Sequence, residues 1–319
     1  MERRSLKDGG ILKKRYLLCR QMAQGGYGLV YRGKDTKSGE EVVIKEIFPA
    51  GKAYREDGKD DVIYQGEFFN SYHELYQNEV EILKKVKICV GCVKLHDYFE
   101  ENGTFYIVTD LVEGRTLQEE LDEGMTKNRL IPFIYQISYT LSRLDRLDIL
   151  HRDICPENVI VQGLEECTLV DFGSALDLSK ENSRLVMEPT YRRGFSPPEQ
   201  MHYPGILDRS VDLFSTSAIW YYKLTGKHIP DFGEEYEQEI WRELVHSGKD
   251  YDRYAVLAKG LSKNPEERHH VSHELLGGLI SDFLEIFLDP EVMDYLSEED
   301  EMDEQAGNME KDRDDQNKE

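Results

Sequence analysis

Three polar side chains in the middle of the chain have the chemistry of proton transfer and metal binding. Asp153 is followed five residues later by Asn158 and 18 residues later by Asp171. An aspartate can accept a proton from a hydroxyl group, whereas a second carboxylate and an amide oxygen are the hard ligands that Mg²⁺ prefers. The sequence therefore supplies a candidate base, Asp153, and two candidate metal ligands, Asn158 and Asp171.

Features that suit phosphate binding occur upstream of these residues. Segment 24–31, Gln-Gly-Gly-Tyr-Gly-Leu-Val-Tyr, contains glycines that let a hairpin backbone approach a phosphate and point N–H groups at it, although a flexible turn would also suit them. Lys45 follows Gly28 by 17 residues inside an apolar run. Its ammonium group needs an anion there, unless the strand lies at an edge and the side chain reaches water. Together with the base and the metal ligands, these are the parts of a phosphoryl-transfer site.

The elements that must hold these residues fall into two groups. Short β-branched or aromatic runs at 28–33, 41–45 and 104–108 predict strands, and one helix is predicted among them at 71–87. The remainder predicts helices at 130–147, 210–224, 234–247, 251–261 and 271–288. A β-rich first third followed by a helical remainder favours an α+β architecture of two lobes over one alternating α/β sheet.

The composition limits what the chain can bind and where it can act. With 40 Lys and Arg against 63 Asp and Glu, the formal net charge is −23, which argues against nucleic acid or anionic lipid as a partner. No apolar run reaches the roughly 20 residues of a membrane span, and no apolar segment follows Met1–Arg4 as a secretory signal requires. The five cysteines, an odd number, indicate reduced thiols. We therefore expect a cytoplasmic protein.

The end of the chain differs in composition from the rest. Residues 297–319 hold 11 acidic and 3 basic side chains, and Met302 and Met309 are the only large apolar ones. Such a segment buries too little surface to offset its ordering entropy, which predicts a disordered acidic tail at 296–319. The tail would serve either as a solvated, solubilising segment or as a binding segment for a partner.

In order and spacing, the motifs resemble those of the eukaryotic-type (Hanks-type) protein kinase family. The resemblance rests on His151-Arg152-Asp153, on Asp171-Phe172-Gly173 and on the upstream features, and it covers about residues 16–288. It implies a bilobal α+β fold, in which a small β-rich N-lobe with one main helix and a larger helical C-lobe enclose ATP and Mg²⁺. The implied organisation is an N-terminal extension at 1–15, an N-lobe at 16–113, a C-lobe at 114–295 and the acidic tail at 296–319.

The resemblance also implies roles for single residues. Asp153 would orient the acceptor hydroxyl group and take its proton, and Glu79 would position Lys45 on the α- and β-phosphates. Glu81 is the neighbouring alternative, but two residues along a helix turn it about 200° away. The implied catalytic residues are Asp153, Lys45, Glu79 and Asn158, and the implied metal ligands are Asn158 and Asp171. The implied nucleotide contacts are Ala23, Gly25, Gly26, Gly28, Val30, Val43, Lys45, Asp110, Val112 and Ile160.

Structural positions of the family can be identified as well. Asp212 resembles the aspartate that anchors the catalytic loop, and Glu199 and Arg268 resemble a buried ion pair of the C-lobe. The bacterial branch of the family is resembled by the runs 44–49, 99–106 and 197–200 and by the long stretch 51–70.

Four positions depart from the family pattern. Ala23 replaces the first glycine of the loop, and Val43 replaces an alanine above the adenine. Cys155 stands where serine/threonine kinases usually carry a lysine that reaches the γ-phosphate, and the loss of one preorganised donor can cost about 10²–10³ in rate. The run 191–194 lacks the threonine that members often place before the Pro-Glu motif. The loss at Cys155 predicts slower or differently supported catalysis.

The activation loop at 174–196 is a candidate for regulation. The run 156–158, Pro-Glu-Asn, resembles the serine/threonine pattern, so that protein Ser and Thr hydroxyl groups are the expected acceptors. In resembling kinases, an arginine such as Arg152 pairs with a phosphate on this loop. The hypothesis is autophosphorylation at Ser183 or Thr190. The alternative is that Arg152 only braces the loop backbone.

Other functions fit parts of the sequence. A nucleotide-binding pseudokinase, acting as a scaffold or regulatory module, is suggested by Cys155 and the acidic tail, although the catalytic groups are present. A kinase of small molecules would share the fold, but segment 197–199 resembles the platform for protein substrates. Cys89 and Cys92 have the spacing of a metal or redox pair, yet without further ligands they indicate ordinary buried thiols.

Overall fold

The computed structural model describes residues 3–180, 185–186, 190–201, 205–248 and 251–269. The predicted helix at 271–288, the acidic tail at 296–319 and Ser183 lie outside these ranges. Within them the chain is β-rich to about residue 110 and mostly helical after it, as the sequence predicted.

The first lobe is built on an antiparallel sheet of six strands. They are β1 (Ile11–Leu12), β2 (Tyr16–Gln24), β3 (Gly28–Asp35), β4 (Glu41–Ile47), β7 (Leu95–Glu101) and β8 (Thr104–Asp110), and their order is β1-β2-β3-β4-β8-β7. The three predicted strands are confirmed, and each extends two residues further than predicted. A hairpin of β5 (Ala53–Arg55) and β6 (Val62–Tyr64) fills the long stretch before helix α1 (Phe68–Val86).

The two faces of the sheet have different tasks. On β4, Val42 and Ile44 are buried in an apolar cluster, whereas Val43 and Lys45 are half-buried on the opposite face, as strand alternation requires. Val30 on β3 lies directly beside Lys45 in the antiparallel register. Three of the residues predicted to contact the nucleotide therefore share one face of the sheet.

Helix α1 presents Glu79 to the interior and Glu81 to solvent. Glu79 is 5% exposed, while Glu81 lies on the exposed side and accepts a hydrogen bond from Lys84 at 2.7 Å. The helix begins at Phe68, three residues before its predicted start, and the preceding Glu67 makes no side-chain cap. Because no side chain caps the helix, nothing in the residue pattern marks its start.

The second lobe contains the remaining elements. These are β9 (Arg115–Thr116), α2 (Leu117–Asp122), α3 (Lys127–Asp145), β10 (Ile149–Leu150), β11 (Val159–Gln162), β12 (Glu166–Leu169), β13 (Leu176–Asp177), β14 (Leu185–Val186), β15 (Gly205–Ile206), α4 (Ser210–Thr225), α5 (Tyr236–Ser247) and α6 (Tyr251–Gly260). The four predicted helices among them are confirmed to within three residues at each end. Helix α4 is buried along most of its length and forms the centre of this lobe.

The N-terminal residues expected to form an extension pack on the first lobe. Ile11 in β1 pairs with Leu17 in β2, and Leu6 is buried in the same apolar cluster as the sheet. The Leu6 N–H donates to the Tyr31 hydroxyl group at 3.1 Å. Two-residue strands carry no periodic pattern, so the sequence could not indicate this pairing.

A buried polar cluster connects the hairpin β5–β6 to β4. The Glu46 carboxylate accepts hydrogen bonds from Arg55, from the Tyr31 hydroxyl group at 2.8 Å and from the Tyr106 hydroxyl group at 2.6 Å. The side chains of Arg55 and Glu46 are 2% and 0% exposed. Because both charges have lost their water, each depends on the other for compensation.

Removal of the Glu46 carboxylate is expected to destabilise the first lobe strongly. In Glu46→Ala the Arg55 guanidinium stays buried without its counter-ion, and breaking a buried pair in this way costs about 3–5 kcal/mol. Thermal or chemical unfolding measures the change. Glu41→Ala on the same strand is the matched control, because it breaks only the exposed pair with Arg32. Equal shifts in both variants would contradict the role given to the buried cluster.

Candidate active site

Lys45 connects the two lobes through two carboxylates. Its Nζ donates to Glu79 Oε1 at 2.8 Å and to Asp171 Oδ1 at 2.7 Å. Glu79 comes from α1 in the first lobe, whereas Asp171 follows β12 in the second. The side chains of Lys45 and Glu79 are 17% and 6% exposed, so that little water screens their attraction.

These contacts determine the charge of each group. Burial alone would lower the pKa of Lys45, but the carboxylates of Asp171 and Glu79 outweigh it and raise that pKa above its usual range. The Lys45 ammonium group in turn lowers the pKa of Asp171 to about 2. Burial raises the pKa of Glu79 despite the neighbouring cation. At neutral pH Lys45 and Asp171 are therefore charged, as a phosphate-binding cation and a metal-binding carboxylate must be.

Gly173 allows these three side chains to approach one another. A Cβ atom at this position would lie 2.6 Å from Lys45 Nζ and 3.1 Å from Asp171 Oδ1. The Gly173 N–H donates to Asp171 Oδ1 at 3.2 Å. Glycine is thus needed here for close approach, because any side chain would push the lysine from the aspartate.

Asp212, near the start of α4, holds the backbone of the loop that carries Asp153. Its Oδ2 accepts from the His151 N–H at 2.7 Å, and its Oδ1 accepts from the Arg152 N–H at 2.8 Å. Arg152 has a φ of 69°, in the left-handed region that non-glycine residues disfavour. Burial raises the pKa of Asp212 to about 7, against the two amides, which favour its ionised form. The predicted anchoring contact is confirmed.

The Asp153 carboxylate receives donors from two sides. Asn158 Nδ2 donates to Asp153 Oδ2 at 2.8 Å and to the Asp153 carbonyl oxygen at 2.9 Å. On the other side, Arg192 donates from Nε to Oδ1 at 2.9 Å and from Nη2 to Oδ2 at 3.0 Å. Sequence reasoning did not identify Arg192 as a site residue. The one signal was an arginine in the run that lacks the expected threonine.

The donor set near Asp153 fits a divalent cation held by few protein ligands. Because Asn158 Nδ2 faces Asp153, its Oδ1 is the atom left to act as a ligand together with the Asp171 carboxylate. Among the described residues, no group of three or more His, Cys, Asp or Glu side chains could hold a metal. Mg²⁺ in phosphoryl-transfer sites is commonly bound by one or two carboxylates together with substrate phosphates, which is the set that these residues offer.

Cys155 contributes neither charge nor a reactive thiolate. Its side chain is fully buried, and burial raises the pKa of the thiol far above its usual range. Cys89 and Cys92 are also buried free thiols, and burial raises the pKa of Cys92. Buried neutral thiols are inert, so the interpretation of these cysteines as ordinary core residues is supported.

In the glycine-rich segment, close packing requires glycine at one position, whereas two other glycines have empty space around them. At Gly28 a Cβ atom would lie 2.1 Å from the Glu46 carbonyl oxygen, so the pairing of β3 with β4 requires glycine. At Gly25 and Gly26 the space around a Cβ atom is empty to 4 Å. Arg3 Nη1 donates to the carbonyl oxygens of Gly25 and Phe48 and so ties the segment to the N-terminal residues. Ala23, at the end of β2, is exposed.

The other predicted nucleotide contacts lie on both sides of the cleft. Val43 on β4 and Ile160 on β11 are half-buried, as are Asp110 and Val112 in the connection between the lobes. The Asp110 N–H donates to the Lys94 carbonyl oxygen at 3.1 Å, and the Asp110 carbonyl oxygen accepts from Thr109 Oγ1 at 3.5 Å with a second lone pair left for a ligand.

Buried side chains of the second lobe pack next to the site and stabilise it. The rings of His151 and Phe172 lie 4.7 Å apart between centroids, and both are buried. In the second lobe the fully buried Arg268 pairs with Glu199, with Nη2 and Oε2 at 2.9 Å, and donates from Nε to the Ser262 carbonyl oxygen at 2.6 Å. This ion pair confirms the prediction.

None of the helices in the described ranges has the length and apolar character that a membrane crossing requires.

The chain is similar in sequence to several known proteins. Serine/threonine-protein kinase PknA of Nostoc is 28% identical over 294 residues, covering 84% of this chain and 47% of the relative. Serine/threonine-protein kinase B of Synechocystis is 28% identical over 283 residues, covering 84% and 46%. PknD of Mycobacterium tuberculosis is 25% identical over 265 residues, covering 79% and 37%. The chain thus spans less than half the length of these relatives.

The fold has a counterpart among solved structures. The structure described as "PpkA-294 apo form" superposes with a TM-score of 0.67 at 22% identity, over 86% of this chain and 99% of that one. The protein kinase domain family matches residues 16–287. Since this match spans both lobes and every element that carries the site, the chain belongs to the protein kinase domain family.

Proposed function

We propose that the chain is a serine/threonine protein kinase that transfers the γ-phosphoryl group of ATP, with Mg²⁺, to hydroxyl groups of proteins. The observation that carries this proposal is the double contact of Lys45 Nζ with Glu79 and Asp171, at 2.8 and 2.7 Å. It offers a buried cation and an ionised carboxylate near the candidate base. The names of the bacterial relatives support Ser and Thr as acceptors.

Binding of the nucleotide is assigned to residues from both lobes. Lys45, positioned by Glu79, would hold the α- and β-phosphates, and the backbone at 25–28 would cover the phosphates. Asn158 and Asp171 would hold Mg²⁺, which when bound neutralises charge on the phosphates. The adenine would contact Val30, Val43, Asp110, Val112 and Ile160, and Ala23 would contact the nucleotide from the glycine-rich loop.

Transfer requires a base that orients the acceptor. The hydroxyl oxygen forms a bond to the γ-phosphorus while the bond between this phosphorus and the bridging oxygen breaks, and ADP leaves. Asp153 takes the hydroxyl proton. Its Oδ1 accepts from Arg192 Nε, and a second lone pair on that oxygen can receive the hydroxyl group.

Autophosphorylation of the activation loop, at Ser183 or Thr190, is part of the proposal. Arg152 Nη1 donates to the Ser174 carbonyl oxygen at 3.1 Å, which is the bracing contact of the alternative hypothesis. A phosphate on the loop would offer this guanidinium a charged acceptor, and charge-assisted hydrogen bonds are about twice as strong as neutral ones. A cytoplasmic location and a partner for the acidic tail stay predictions.

Phosphate transfer from γ-labelled ATP tests the proposal. Wild type, Asp171→Asn and the exposed control Asp122→Asn are incubated with myelin basic protein, with Mg²⁺ or with EDTA, and labelled residues are identified by mass spectrometry. We expect Mg²⁺-dependent label on Ser or Thr in wild type and control and almost none in Asp171→Asn. Absence of label from residues 174–196 would refute autophosphorylation there. Absence of all label, with ATP binding retained, would favour the pseudokinase.

A further inference from the structure

Two departures from the family pattern meet at one carboxylate. Cys155 leaves the catalytic loop without the lysine expected two residues after Asp153. Arg192 stands in the run that lacks the expected threonine, 39 residues after Asp153. The structure brings the Arg192 guanidinium onto both oxygens of Asp153, at 2.9 and 3.0 Å.

The site needs a cation at this point. The Asp153 side chain is 13% exposed, and Arg192 Nη1 also lies 3.8 Å from Glu157 Oε1, so that without the guanidinium two neighbouring carboxylates would lose this counter-ion. Lys45 is already engaged by Glu79 and Asp171. The Arg192 guanidinium, whose pKa the hydrogen bonds to Asp153 raise, supplies the positive charge that the neutral Cys155 thiol cannot.

The backbone of Arg192 is held in place by its own segment. The Arg192 N–H donates to Ser196 Oγ at 2.9 Å, and the Ser196 N–H donates to the Arg192 carbonyl oxygen at 2.9 Å. Gln200 Nε2 donates to the carbonyl oxygens of Arg152 at 2.8 Å and Thr190 at 2.7 Å and so ties this segment to the catalytic loop. The guanidinium therefore approaches Asp153 from a backbone that is preorganised.

We propose that Arg192 is a positioning residue that supplies, from the activation segment, a cation at Asp153 in a catalytic loop whose position 155 is a neutral cysteine rather than a lysine. The inference rests on the proposed kinase function. The bidentate contact fixes the rotation of the carboxylate. It leaves one lone pair of Oδ1 open, since Oδ2 also accepts from Asn158. The base is thereby correctly oriented only when segment 190–196 is folded.

Steady-state kinetics of the full chain, with myelin basic protein and ATP, test the role of Arg192. We expect Arg192→Ala to lower kcat by about 10²–10³, the effect of losing one preorganised charged donor, with KM for ATP little changed. Arg192→Lys should recover only part of the loss, because an ammonium group cannot make the planar bidentate contact. Arg193→Ala, the adjacent exposed arginine that pairs with Asp231 at 3.5 Å, is the matched control and should retain wild-type kcat.

Rescue of kcat in the Arg192 variant distinguishes a positioning role of this residue from a purely structural one. Arg192→Ala/Cys155→Lys returns a cation to the catalytic loop and should regain most of the lost kcat. Methylguanidinium added to Arg192→Ala should also raise kcat, and this test does not require the buried Cys155 site to accept a lysine. Thermal unfolding of each variant checks that the fold persists.

The outcomes discriminate between the two proposals. Wild-type kcat in Arg192→Ala, a higher kcat in it, or a loss that neither the lysine nor methylguanidinium reverses would overturn the role of Arg192. A higher kcat would mean that Arg192 inhibits the base. No Asp153-dependent transfer in wild type itself would instead overturn the kinase function on which the inference rests.

Discussion

Asparagine in place of Asp153 is expected to lower kcat by about 10²–10⁴, the usual contribution of a positioned general base, while KM for ATP changes little. The amide is nearly isosteric with the carboxylate but cannot take the hydroxyl proton. It also replaces one of the two oxygens to which Arg192 donates. Initial rates of labelled phosphate transfer, measured over a range of ATP concentrations, give kcat and KM separately.

The matched control for this variant is Asp122→Asn, which makes the same change of charge at an exposed position on α2. It should leave both constants unaltered. Transfer by Asp153→Asn at the rate of the control would show that Asp153 is not the base. The role of the base would then fall to another group.

Methionine in place of Lys45 is expected to reduce both activity and stability. The variant loses the cation assigned to the phosphates, and we expect kcat/KM to fall by at least about 10²–10³. It also leaves the buried Glu79 without its counter-ion, which costs at most about 3–5 kcal/mol, because Glu79 can escape part of the penalty by taking up a proton. Asp171 suffers less, since half of its side chain is exposed.

The stability loss of Lys45→Met should depend on pH in a defined direction. Burial already raises the pKa of Glu79, and without Lys45 it rises further. A carboxyl group whose pKa is raised on folding favours the fold below its unfolded pKa, and this contribution disappears as the pH rises through its folded pKa. The free energy of unfolding of the variant should therefore be lower than that of wild type at both pH values, and the difference should be larger at pH 8 than at pH 5.

Chemical denaturation at the two pH values measures this difference. Lys34→Met, an exposed lysine on the neighbouring strand β3, is the matched control and should lose neither activity nor stability. A loss of stability in Lys45→Met that does not grow with pH would contradict an uncompensated Glu79 carboxylate.

Three strands and five helices of this fold were predictable because their signals are local. Alternation of side chains along β4 and the apolar stripe of α1 lie within single short segments, and such patterns favour one element whatever surrounds them. The choice of Glu79 over Glu81 combined the family resemblance with helix geometry, and the structure agrees. Element ends were less predictable where, as before Phe68, no capping side chain marks the start.

Motif order was sufficient to predict the candidate site, but not all of its contacts. Lys45 contacts both Glu79 and Asp171, although these two residues lie 34 and 126 residues from it along the chain. The family motifs supplied this proximity, which no local pattern contains. The buried pair of Glu46 and Arg55 was missed, because nothing in either residue's own segment shows that a hairpin will fold over the sheet.

From the sequence alone we could predict the two lobes, a set of catalytic residues, and the departures at Cys155 and in the run 191–194. The folded chain adds that Arg192, from that run, donates to Asp153, two residues before Cys155. The difference follows from the range of the interactions. Side-chain periodicity and local hydrogen bonds depend on residues a few positions apart. Arg192 and Asp153 are 39 residues apart and come together only because the backbone between them folds back.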